Sequence, residues 1–560
     1  MRISLITLNA RYSHSCPALF HVRQVLVAEL QESRITIQQF TINDPWYDTL
    51  LAITEAEPEV LCFSISVWNV SQTQRLLGDL RLVLPAVPIV LGGPEVVGLD
   101  RSLLPEGCTV VVGEVEGLGP EFFADLAGGQ LAHEYRAAPG PSFSMPYQPE
   151  DFAVHLANRN IYYESSRGCP FACSYCLSAA AHGMRLHDLD TVRSELAVIL
   201  AHHPRIIRFV DRTFNVDAGR AKAIWEWLLA QPGETVFHFE IAPELFTEEL
   251  FELLARVEPG RFQFEIGLQS TNPHALKAVN RTMDLARASS NINRLATMDT
   301  IHLHLDLILG LPYETEETFL AGFNHAFRLA PHHIQMGLLK VLPGTPLCRV
   351  RQDFGLLHSA VAPYAVLGTS WLNHPNVRRL YRFGECVEAF HNNRFFRSLF
   401  GYLRQQGEEP AEFFFGLLAI CEEEGFFGLA KTQELMARLL VRLAGTRPDQ
   451  PIFLELLRFD WLASGQHQLP EFLGGVDGQR QTKDHLWHSL SESWHPYFDH
   501  AGRKEFFKRA TFLFCSAPVL AAVGLADGRR SGHVCFLPDL TAGVMPRRQT
   551  AVFFSDGAGK

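Results

Sequence analysis

The chain has 560 residues and a formal net charge of −12 at pH 7, with 47% hydrophobic and 20% charged residues. This composition is typical of a globular protein with several domains and large hydrophobic cores. Because the charge is negative and no block of Lys and Arg occurs, neither a nucleic acid nor an anionic membrane is expected as the main partner.

The cysteine content and the N-terminus indicate the compartment. The eleven cysteines are scattered without the spacing of a disulfide framework, which favours a reducing environment. The N-terminus turns polar after a short apolar run, and no stretch of about 18 uncharged apolar residues occurs, so neither a signal peptide nor a membrane span is predicted. We therefore expect a cytoplasmic protein.

Strand-like apolar runs alternate with helical patterns in residues 1–135. Strands are predicted at 3–8, 35–40, 60–67, 88–91 and 109–112, and helices at 18–30 and 72–84. Such alternation predicts right-handed crossovers and a doubly wound parallel sheet, which is a Rossmann-like α/β domain. Ligands bind such sheets at the carboxyl ends of the strands, where Gly92 and Gly93 permit a close backbone approach.

A segment rich in Pro and Ser, residues 136–157, has no periodicity and is predicted to be a linker. Six strand and helix units then follow in residues 158–350. The predicted strands lie at 161–165, 205–210, 235–241, 261–269, 301–311 and 333–342. This succession predicts an open partial (β/α)6 barrel, whose chemistry lies at the carboxyl ends of its strands.

Three cysteines follow the first of these strands in a Cys-x3-Cys-x2-Cys array, namely Cys169, Cys173 and Cys176. Thiolates bind soft centres such as zinc or iron-sulfur clusters. The next cysteine, Cys348, is far away in sequence, so the economical interpretation is a four-iron cluster whose fourth iron is open to another ligand. A zinc site or three unrelated thiols are the alternatives.

The last third, residues 351–560, is predicted to be mainly helical. Helices with apolar residues at three- and four-residue spacing are predicted at 381–403, 411–429, 432–444 and 451–462, and strand-like runs at 511–516 and 533–537. The phenylalanine clusters at 413–415 and 426–427 are interpreted as core, with a substrate-binding wall as the alternative. Buried, inert thiols are expected at Cys348, Cys386, Cys421, Cys515 and Cys535.

The string YYESSRGCPFACSYCLSA (162–179) resembles the signature loop of the radical S-adenosylmethionine (SAM) enzymes. The strings DLILGLPYET (306–315) and LLKVLPGTPL (338–347) resemble strand motifs of the branch with the oxygen-independent coproporphyrinogen oxidases. The resemblance implies a [4Fe-4S] cluster on the three cysteines, with SAM chelating the unique iron and being cleaved to a 5'-deoxyadenosyl radical. The SAM contacts that it implies are Tyr175, Asp211, Glu240, Glu265, Gln269, Asp306 and Gly310. The alternative is that these strand residues only satisfy neighbouring groups.

The strand ends of the first domain, together with VVGEVEG (111–117), resemble the cobalamin-binding domain that precedes many radical SAM modules. The implied cobalamin contacts are His14, Ser64, Ser66, Gly92, Gly93 and Glu114. The Asp-x-His-x-x-Gly motif is absent, so His14 is either a cobalt ligand or a supporting group, and a domain that has lost cobalamin stays an alternative. The strings PYAVLGTSWL and RFGECVEAFHNNRFF resemble an uncharacterised C-terminal domain of one subgroup of this family.

The resemblance implies a cobalamin-dependent radical SAM enzyme that transfers a methyl group to an unactivated carbon of a small molecule. An external electron donor such as flavodoxin or ferredoxin is implied as well. The alternatives are radical cyclisation or rearrangement without methylation, and a non-catalytic cobalamin or iron-sulfur sensor. The sequence does not identify the substrate.

Overall fold

The computed structural model describes residues 1–140, 143–180, 183–474, 479–489, 502–537 and 550–554. Parts of the predicted linker and of the predicted C-terminal domain lie outside these residues. The chain divides into two compact units. The first comprises Met1–His302, Ile308–Thr315 and Gly337–Val377, and the second comprises Leu303–Leu307, Glu316–Met336 and Arg378–Lys560. The domain boundaries near residues 135, 157 and 350 stay predictions.

The N-terminal part of the first unit is a six-stranded sheet with helices. Its elements are β1 (Arg2–Asn9), α1 (Pro17–Glu29), β2 (Arg34–Thr41), α2 (Trp46–Glu55), β3 (Val60–Ser64), α3 (Val70–Val83), β4 (Ile89–Gly92), β5 (Cys108–Val112), α4 (Pro120–Gly128) and β6 (Glu134–Arg136). The strand order is β2-β1-β3-β4-β5-β6, and every pair is parallel. The predicted doubly wound sheet is therefore confirmed.

A second sheet follows. Its elements and their neighbours are α5 (Asp151–Val154), β7 (Ile161–Tyr163), β8 (Ser166–Arg167), β9 (Arg185–Leu186), α6 (Leu189–Leu200), β10 (Ile206–Phe209), α7 (Ala218–Leu229), β11 (Val236–Ile241), α8 (Glu248–Leu254), β12 (Phe262–Gln269), α9 (Pro273–Ala278), α10 (Leu285–Met298), β13 (His302–Leu309), α11 (Glu316–Arg328), β14 (His333–Leu338) and α12 (Pro346–Arg349). The strand order β14-β13-β12-β11-β10-β7 is that of the predicted partial (β/α)6 barrel. The short strands β8 and β9 pair with each other.

The strands of this sheet have one apolar and one polar face, as β12 illustrates. Phe262 and Phe264 of β12 pack on the ring of Trp225 in α7, with centroids 6.0 and 5.3 Å apart. Gln263 and Glu265 alternate with these phenylalanines and therefore point to the opposite side, because strand side chains alternate between faces; both are polar and partly exposed. We call that opposite side, within the first unit, the inner face. Its polar side chains are Tyr162, Arg208, His238, Glu240, Gln263 and Glu265.

The predicted linker has little regular structure, but it is firmly attached to both sheets. Arg23 of α1 forms a buried ion pair with Asp151, with 2.7 Å between Nη1 and Oδ1. The hydroxyl of Tyr147 donates a hydrogen bond of 2.7 Å to the carbonyl of Tyr162 in β7. The segment therefore joins α1 of the first sheet to the first strand of the second.

The remaining elements are mainly helical, as predicted. They are β15 (Leu357–His358), β16 (Val366–Gly368), α13 (His374–Val387), α14 (Arg397–Gln406), α15 (Pro410–Glu423), α16 (Gln433–Ala444), α17 (Gln450–Ala463), α18 (Gln479–Ser489), α19 (Arg503–Arg509), β17 (Thr511–Cys515), α20 (Ala517–Ala522), β18 (Gly532–Leu537) and β19 (Thr550–Phe554). The last three strands form an antiparallel sheet. Within the described residues, no helix is long and apolar enough to cross a membrane.

The single helix predicted at 381–403 is wrong, because the chain forms α13, a π-helical turn at Glu388–Asn392 and then α14. The left-handed backbone of Arg394 (φ 58°) separates the two helices. The core interpretation of the phenylalanine clusters is confirmed for Phe413, Phe414 and Phe426, which are at most 4% exposed. Of the five thiols expected to be buried, only Cys348 is partly exposed.

Candidate active site

The three cysteines lie on the loop between β8 and β9, which we call the cysteine loop (168–184). This loop follows β7 at its carboxyl end, where chemistry is expected in barrel-type sheets. Gly168 opens the loop with a left-handed φ of 102°, and a Cβ there would lie 2.2 Å from the carbonyl oxygen of Gly183. Only glycine therefore fits directly before Cys169.

Backbone hydrogen bonds hold the middle of the loop. The amide of Ser174 donates to the carbonyl of Val279 at 2.8 Å, and the amide of Leu347 donates to the carbonyl of Ser174 at 2.8 Å. The side-chain amide of Asn280 donates to the carbonyl of Ala172 at 2.9 Å. The backbone between Cys169 and Cys176 is thus fixed by residues that lie far away in sequence.

Asp211 holds the start of the loop. It is 1% exposed, and it accepts hydrogen bonds from the amide and hydroxyl of Ser165 at 3.0 and 2.6 Å and from the hydroxyl of Ser166 at 2.6 Å. Burial raises the pKa of Asp211 to about 6, although these hydrogen bonds act in the opposite direction. Both carboxylate oxygens already accept hydrogen bonds from these serines. The geometry therefore favours a structural role for Asp211 over a direct contact with SAM.

The three thiols lie near one another. Cys173 is buried and the other two are partly exposed. Burial raises the pKa of the Cys169 thiol, and the charges of Cys176 and Cys173 raise it further. In the described part of the chain, no three His, Cys, Asp or Glu side chains are placed to hold a single metal ion. The cysteine thiols suit a cluster, because a [4Fe-4S] cluster takes its thiolates on separate irons.

Arg281 and Tyr175 stand beside these thiols, and sequence reasoning missed Arg281. The Nη1 of Arg281 lies 3.7 Å from the Sγ of Cys173, and its Nη2 donates to the carbonyl of Gly267. Tyr175 packs against the apolar cluster that includes Val279, and burial raises the pKa of its phenol. The guanidinium places a fixed positive charge next to one candidate ligand.

The carboxyl ends of β3, β4 and β5 surround a cavity of about 260 Å³, which we call the strand-end cavity. The walls that α1 and the strands contribute are mostly apolar, and four of the six predicted cobalamin contacts line it: Ser64, Gly92, Gly93 and Glu114. Gly93 has a φ of 102°, and a Cβ there would lie 2.5 Å from the carbonyl oxygen of Ile65. At Gly92 a Cβ would meet nothing within 4 Å, so this backbone faces open space.

Arg167 closes one side of this cavity, two residues before Cys169. Its Nη1 lies 3.0 Å from Glu114, and its Nη2 lies 3.2 Å from Glu116 and 2.7 Å from Glu164. Arg185 of β9 pairs with Glu114 as well. The sequence analysis missed both arginines. The position of Arg167 two residues before Cys169 could have pointed to it, whereas nothing in the sequence pointed to Arg185.

The structure places His14 and Ser66 outside the lining of the strand-end cavity. The Nδ1 of His14 lies 2.5 Å from the hydroxyl of Tyr162. Burial lowers the pKa of His14, and the charges of Arg208 and Arg11 lower it further, so the ring is neutral at pH 7. Ser66 is buried, and its amide donates a hydrogen bond of 2.8 Å to the Oδ1 of Asn69.

The structure brings three predicted SAM contacts together on β11 and β12. Glu240 and Glu265 are directly opposite in register; Glu240 lies 3.4 Å from Arg212, and Glu265 lies 3.0 Å from the Nε2 of His238. Gln269 ends β12 with a left-handed φ of 67°, a strained conformation for a non-glycine residue. Its shielded Oε1 has no hydrogen-bond donor in the described part of the chain.

The other two predicted SAM contacts have local roles. Asp306 lies on β13 with its Oδ1 3.1 Å from the Nε2 of His304. Gly310 has a φ of 95°, and a Cβ there would lie 2.6 Å from the Cγ1 of Val366. Close packing therefore requires glycine at position 310 whether or not the backbone also contacts a ligand.

Two family models match the chain. The model of the Radical SAM superfamily matches residues 163–324, which include the whole cysteine loop. This segment of the chain is therefore similar to a radical SAM domain. A second model, a protein family of unknown function called DUF4080, matches residues 352–511. The two matches confirm the predicted order of a radical SAM module followed by an uncharacterised C-terminal domain.

Curated proteins that are similar to this chain include methyltransferases. The 2-(S-pantetheinyl)-carbapenam-3-carboxylate methyltransferase of Streptantibioticus cattleyicolor is 24% identical over 406 residues, which cover 62% of this chain and 59% of the relative. The cobalamin-dependent radical SAM methyltransferase TokK of Streptomyces tokunonensis is 22% identical over 407 residues, with the same coverage. The chain thus spans 59% of the length of these relatives.

A solved structure shares the fold. OxsB, a cobalamin-dependent S-adenosylmethionine radical enzyme determined with aqua-cobalamin and S-adenosylmethionine bound, matches with a TM-score of 0.57 and 11% identity. The match covers 82% of this chain and 80% of OxsB. It confirms the predicted α/β fold class with a Rossmann-like sheet, a partial barrel and a helical C-terminal part.

Proposed function

We propose that this protein is a cobalamin-dependent radical SAM enzyme that transfers a methyl group to an unactivated carbon of a small molecule. The observation that carries the proposal is that Arg167 lines the strand-end cavity and stands two residues before Cys169. The cavity and the cysteine loop therefore share one wall. The two relatives named above are methyltransferases, which supports methyl transfer over the other radical chemistries.

Separate groups of residues in this chain would bind the cluster and SAM. Cys169, Cys173 and Cys176 would hold the cluster, and the polar ends of β11 and β12, at Glu240 and Gln269, would bind SAM. When bound, the cluster supplies the electron that cleaves SAM to a 5'-deoxyadenosyl radical, and cobalamin supplies the methyl group. We propose an external electron donor such as flavodoxin or ferredoxin.

The strand-end cavity fits part of a corrinoid. Its volume of about 260 Å³ is below the usual range for a drug-sized ligand, roughly 300–1,000 Å³, so it would hold one end of cobalamin and not the whole molecule. Gly92 and Gly93 allow that end to approach the backbone, while Ser64 and Glu114 offer polar groups to it. His14 lies outside this cavity and is proposed as a supporting group of the inner face.

Cleavage of SAM tests the radical module. The protein is reconstituted with iron and sulfide and is then given reductant and SAM; we expect 5'-deoxyadenosine even without substrate. Cys169→Ala should abolish both this product and the cluster absorbance, whereas the matched control Cys348→Ala should keep both. A binding-only sensor would give no 5'-deoxyadenosine with the intact cluster.

Cobalamin and methyl transfer are tested separately. Protein purified from cobalamin-fed cells should show a corrin absorbance spectrum, and its absence would refute the cobalamin part while leaving the radical module intact. With methyl-labelled SAM, the label should enter the product once a substrate is known. An unlabelled, rearranged product would instead support radical cyclisation or rearrangement.

A further inference from the structure

Arg208 lies in the middle of β10 and faces the inner face of the second sheet. Its neighbours in sequence, Ile207 and Phe209, are at most 1% exposed, and Phe209 packs on Phe239 with ring centroids 4.6 Å apart. Because side chains alternate along a strand, Arg208 points away from this aromatic core. The guanidinium is therefore held on the polar side of the sheet.

Arg208 has no partner among the residues that the structure describes. Its Nε is shielded from solvent and has no acceptor, and no ion pair or hydrogen bond involves its other nitrogens. Four other arginines of the first unit have partners: Arg212 with Glu240, Arg220 with the carbonyl of His187, Arg261 with the carbonyl of Gly233 and Arg281 with the carbonyl of Gly267. A partly buried charge without a counter-charge is costly, so the lack of a partner for Arg208 needs an explanation.

Two polar side chains flank Arg208 at the same level of the sheet. Tyr162 of β7 and His238 of β11 are its register partners on the two sides, so all three side chains leave the same face. The Tyr162 hydroxyl contacts the ring of His14. The two inner-face carboxylates, Glu240 and Glu265, lie further along the strands and already contact Arg212 and His238.

We infer that Arg208, flanked by Tyr162 and His238, binds a carboxylate or phosphate group of the substrate. This inference rests on the proposed function, because it assumes that the substrate enters the barrel beside the cysteine loop. A guanidinium presents paired donors whose geometry matches the two oxygens of a carboxylate or phosphate. Tyr162 and His238 leave the same face on either side of the guanidinium and would border the bound anion. The substrate is therefore an anionic small molecule.

Binding of inorganic phosphate to the full-length protein tests the inference without SAM or turnover. Phosphate is titrated at constant ionic strength and followed by calorimetry. We expect Arg208→Met to weaken binding at least tenfold, which corresponds to about 1.4 kcal/mol, and Arg208→Lys to keep part of it. The matched control Arg205→Met removes an exposed arginine at the start of the same β-strand region and should leave binding unchanged.

Equal phosphate affinity in Arg208→Met and the unaltered protein, with unchanged circular dichroism, would overturn the inference. Two cofactors also carry anionic groups, namely the carboxylate of SAM and the phosphate of cobalamin. Affinity for each is therefore measured in Arg208→Met and should be unchanged. A loss of SAM or cobalamin affinity that parallels the loss for phosphate would assign the anion to that cofactor and overturn the substrate assignment. If the protein did not cleave SAM, the proposed function would fail. The phosphate titration would still test Arg208, because it needs neither SAM nor turnover.

Discussion

The strand-end cavity and the inner face are both formed by parallel strands, but their surfaces differ in chemistry. The cavity is lined mainly by apolar side chains and by glycines, and its charged residues are confined to the side formed by Glu114, Glu116 and Arg167. The inner face carries ionisable side chains on each of the strands β7, β10, β11 and β12. The same sheet architecture thus supports two kinds of recognition.

The difference indicates how each surface selects its ligand. In the cavity, the affinity for the proposed ligand would come from burial of apolar area and from the space that glycine leaves. On the inner face, the affinity would come from directed, charge-assisted hydrogen bonds, which depend on single side chains. Added bulk should therefore damage the cavity most, whereas a change of charge should damage the inner face and the cysteine loop most.

The largest effect is expected from added bulk in the cavity. Gly93→Val places a branched side chain where a Cβ would lie 2.5 Å from the carbonyl oxygen of Ile65, at a φ of 102°. We expect a loss of about 1–3 kcal/mol in stability from the strained backbone. We also expect at least a tenfold loss of corrin absorbance per mole of purified protein.

The control for this variant is Gly78→Ala on α3, where a Cβ would meet nothing within 4 Å. Alanine there should raise stability by up to about 1 kcal/mol, because it is the better helix former, and should leave the corrin content unchanged. If Gly93→Val retained its corrin, the cavity would not be the cobalamin site.

The next largest effect is expected from Asp211, whose carboxyl group accepts hydrogen bonds from Ser165 and Ser166 shortly before the cysteine loop. The folded-state pKa of Asp211 is raised from its ordinary value of 3.8 to about 6. The folded protein therefore keeps a proton that the unfolded chain releases, and stability falls by about 3 kcal/mol as pH rises from about 4 to 6. Asp211→Asn should remove this contribution in urea-unfolding curves measured across that pH range, and it should lower cluster content because a serine hydrogen bond is lost.

Asp460 offers a matched control, because burial likewise raises its pKa to about 6 and it accepts hydrogen bonds from the amides of Ser398 and Leu399. Asp460→Asn should remove a similar pH-dependent contribution without changing cluster content. Equal cluster content in the two variants would show that Asp211 does not position the loop.

A smaller effect is expected from the charge beside Cys173. Arg281→Gln removes the guanidinium that lies 3.7 Å from the Sγ, and a nearby positive charge stabilises the reduced, more negative cluster. We expect the midpoint potential to fall by about 60 mV, equivalent to about 1.4 kcal/mol for one electron, in a redox titration followed by electron paramagnetic resonance. Arg287→Gln, whose arginine donates to the carbonyl of Phe246, serves as the control and should leave the potential unchanged.

The smallest effect is expected from His14→Gln. His14 contacts Tyr162 of the inner face and does not line the strand-end cavity. The corrin content and the position of the corrin absorbance bands should therefore be unchanged in this variant. A shifted band would instead indicate that His14 is a cobalt ligand. The strand-end cavity and the inner face would then contribute to one binding site.

Much of the fold and the centre of the candidate site could be predicted from the sequence. Apolar runs that alternate with helical patterns marked all six strands of the second sheet, because burial against helices requires continuous or alternating apolar residues. The spacing of Cys169, Cys173 and Cys176 marked a cluster, because few other arrangements need three thiols so close together in sequence.

Other features depended on contacts that leave no local pattern. The separation of α13 from α14 was missed because apolar residues continue at helical spacing across the π-helical turn at Glu388–Asn392. Arg281 was missed because its distance from Cys173 is set by the folding of α9 and the loop after it. Arg208 lies within the strand predicted at 205–210 and was not singled out, because the sequence does not show which side chains face it across the sheet.

The buried ion pair between Arg23 and Asp151 has a kinetic consequence. It ties α1, which lines the strand-end cavity, to the segment that leads into β7, and both sheets belong to one compact unit as far as β12. Both binding surfaces are then formed before any ligand arrives. If the proposed function is correct, we therefore expect cobalamin, SAM and the proposed anionic substrate to bind in no obligatory order.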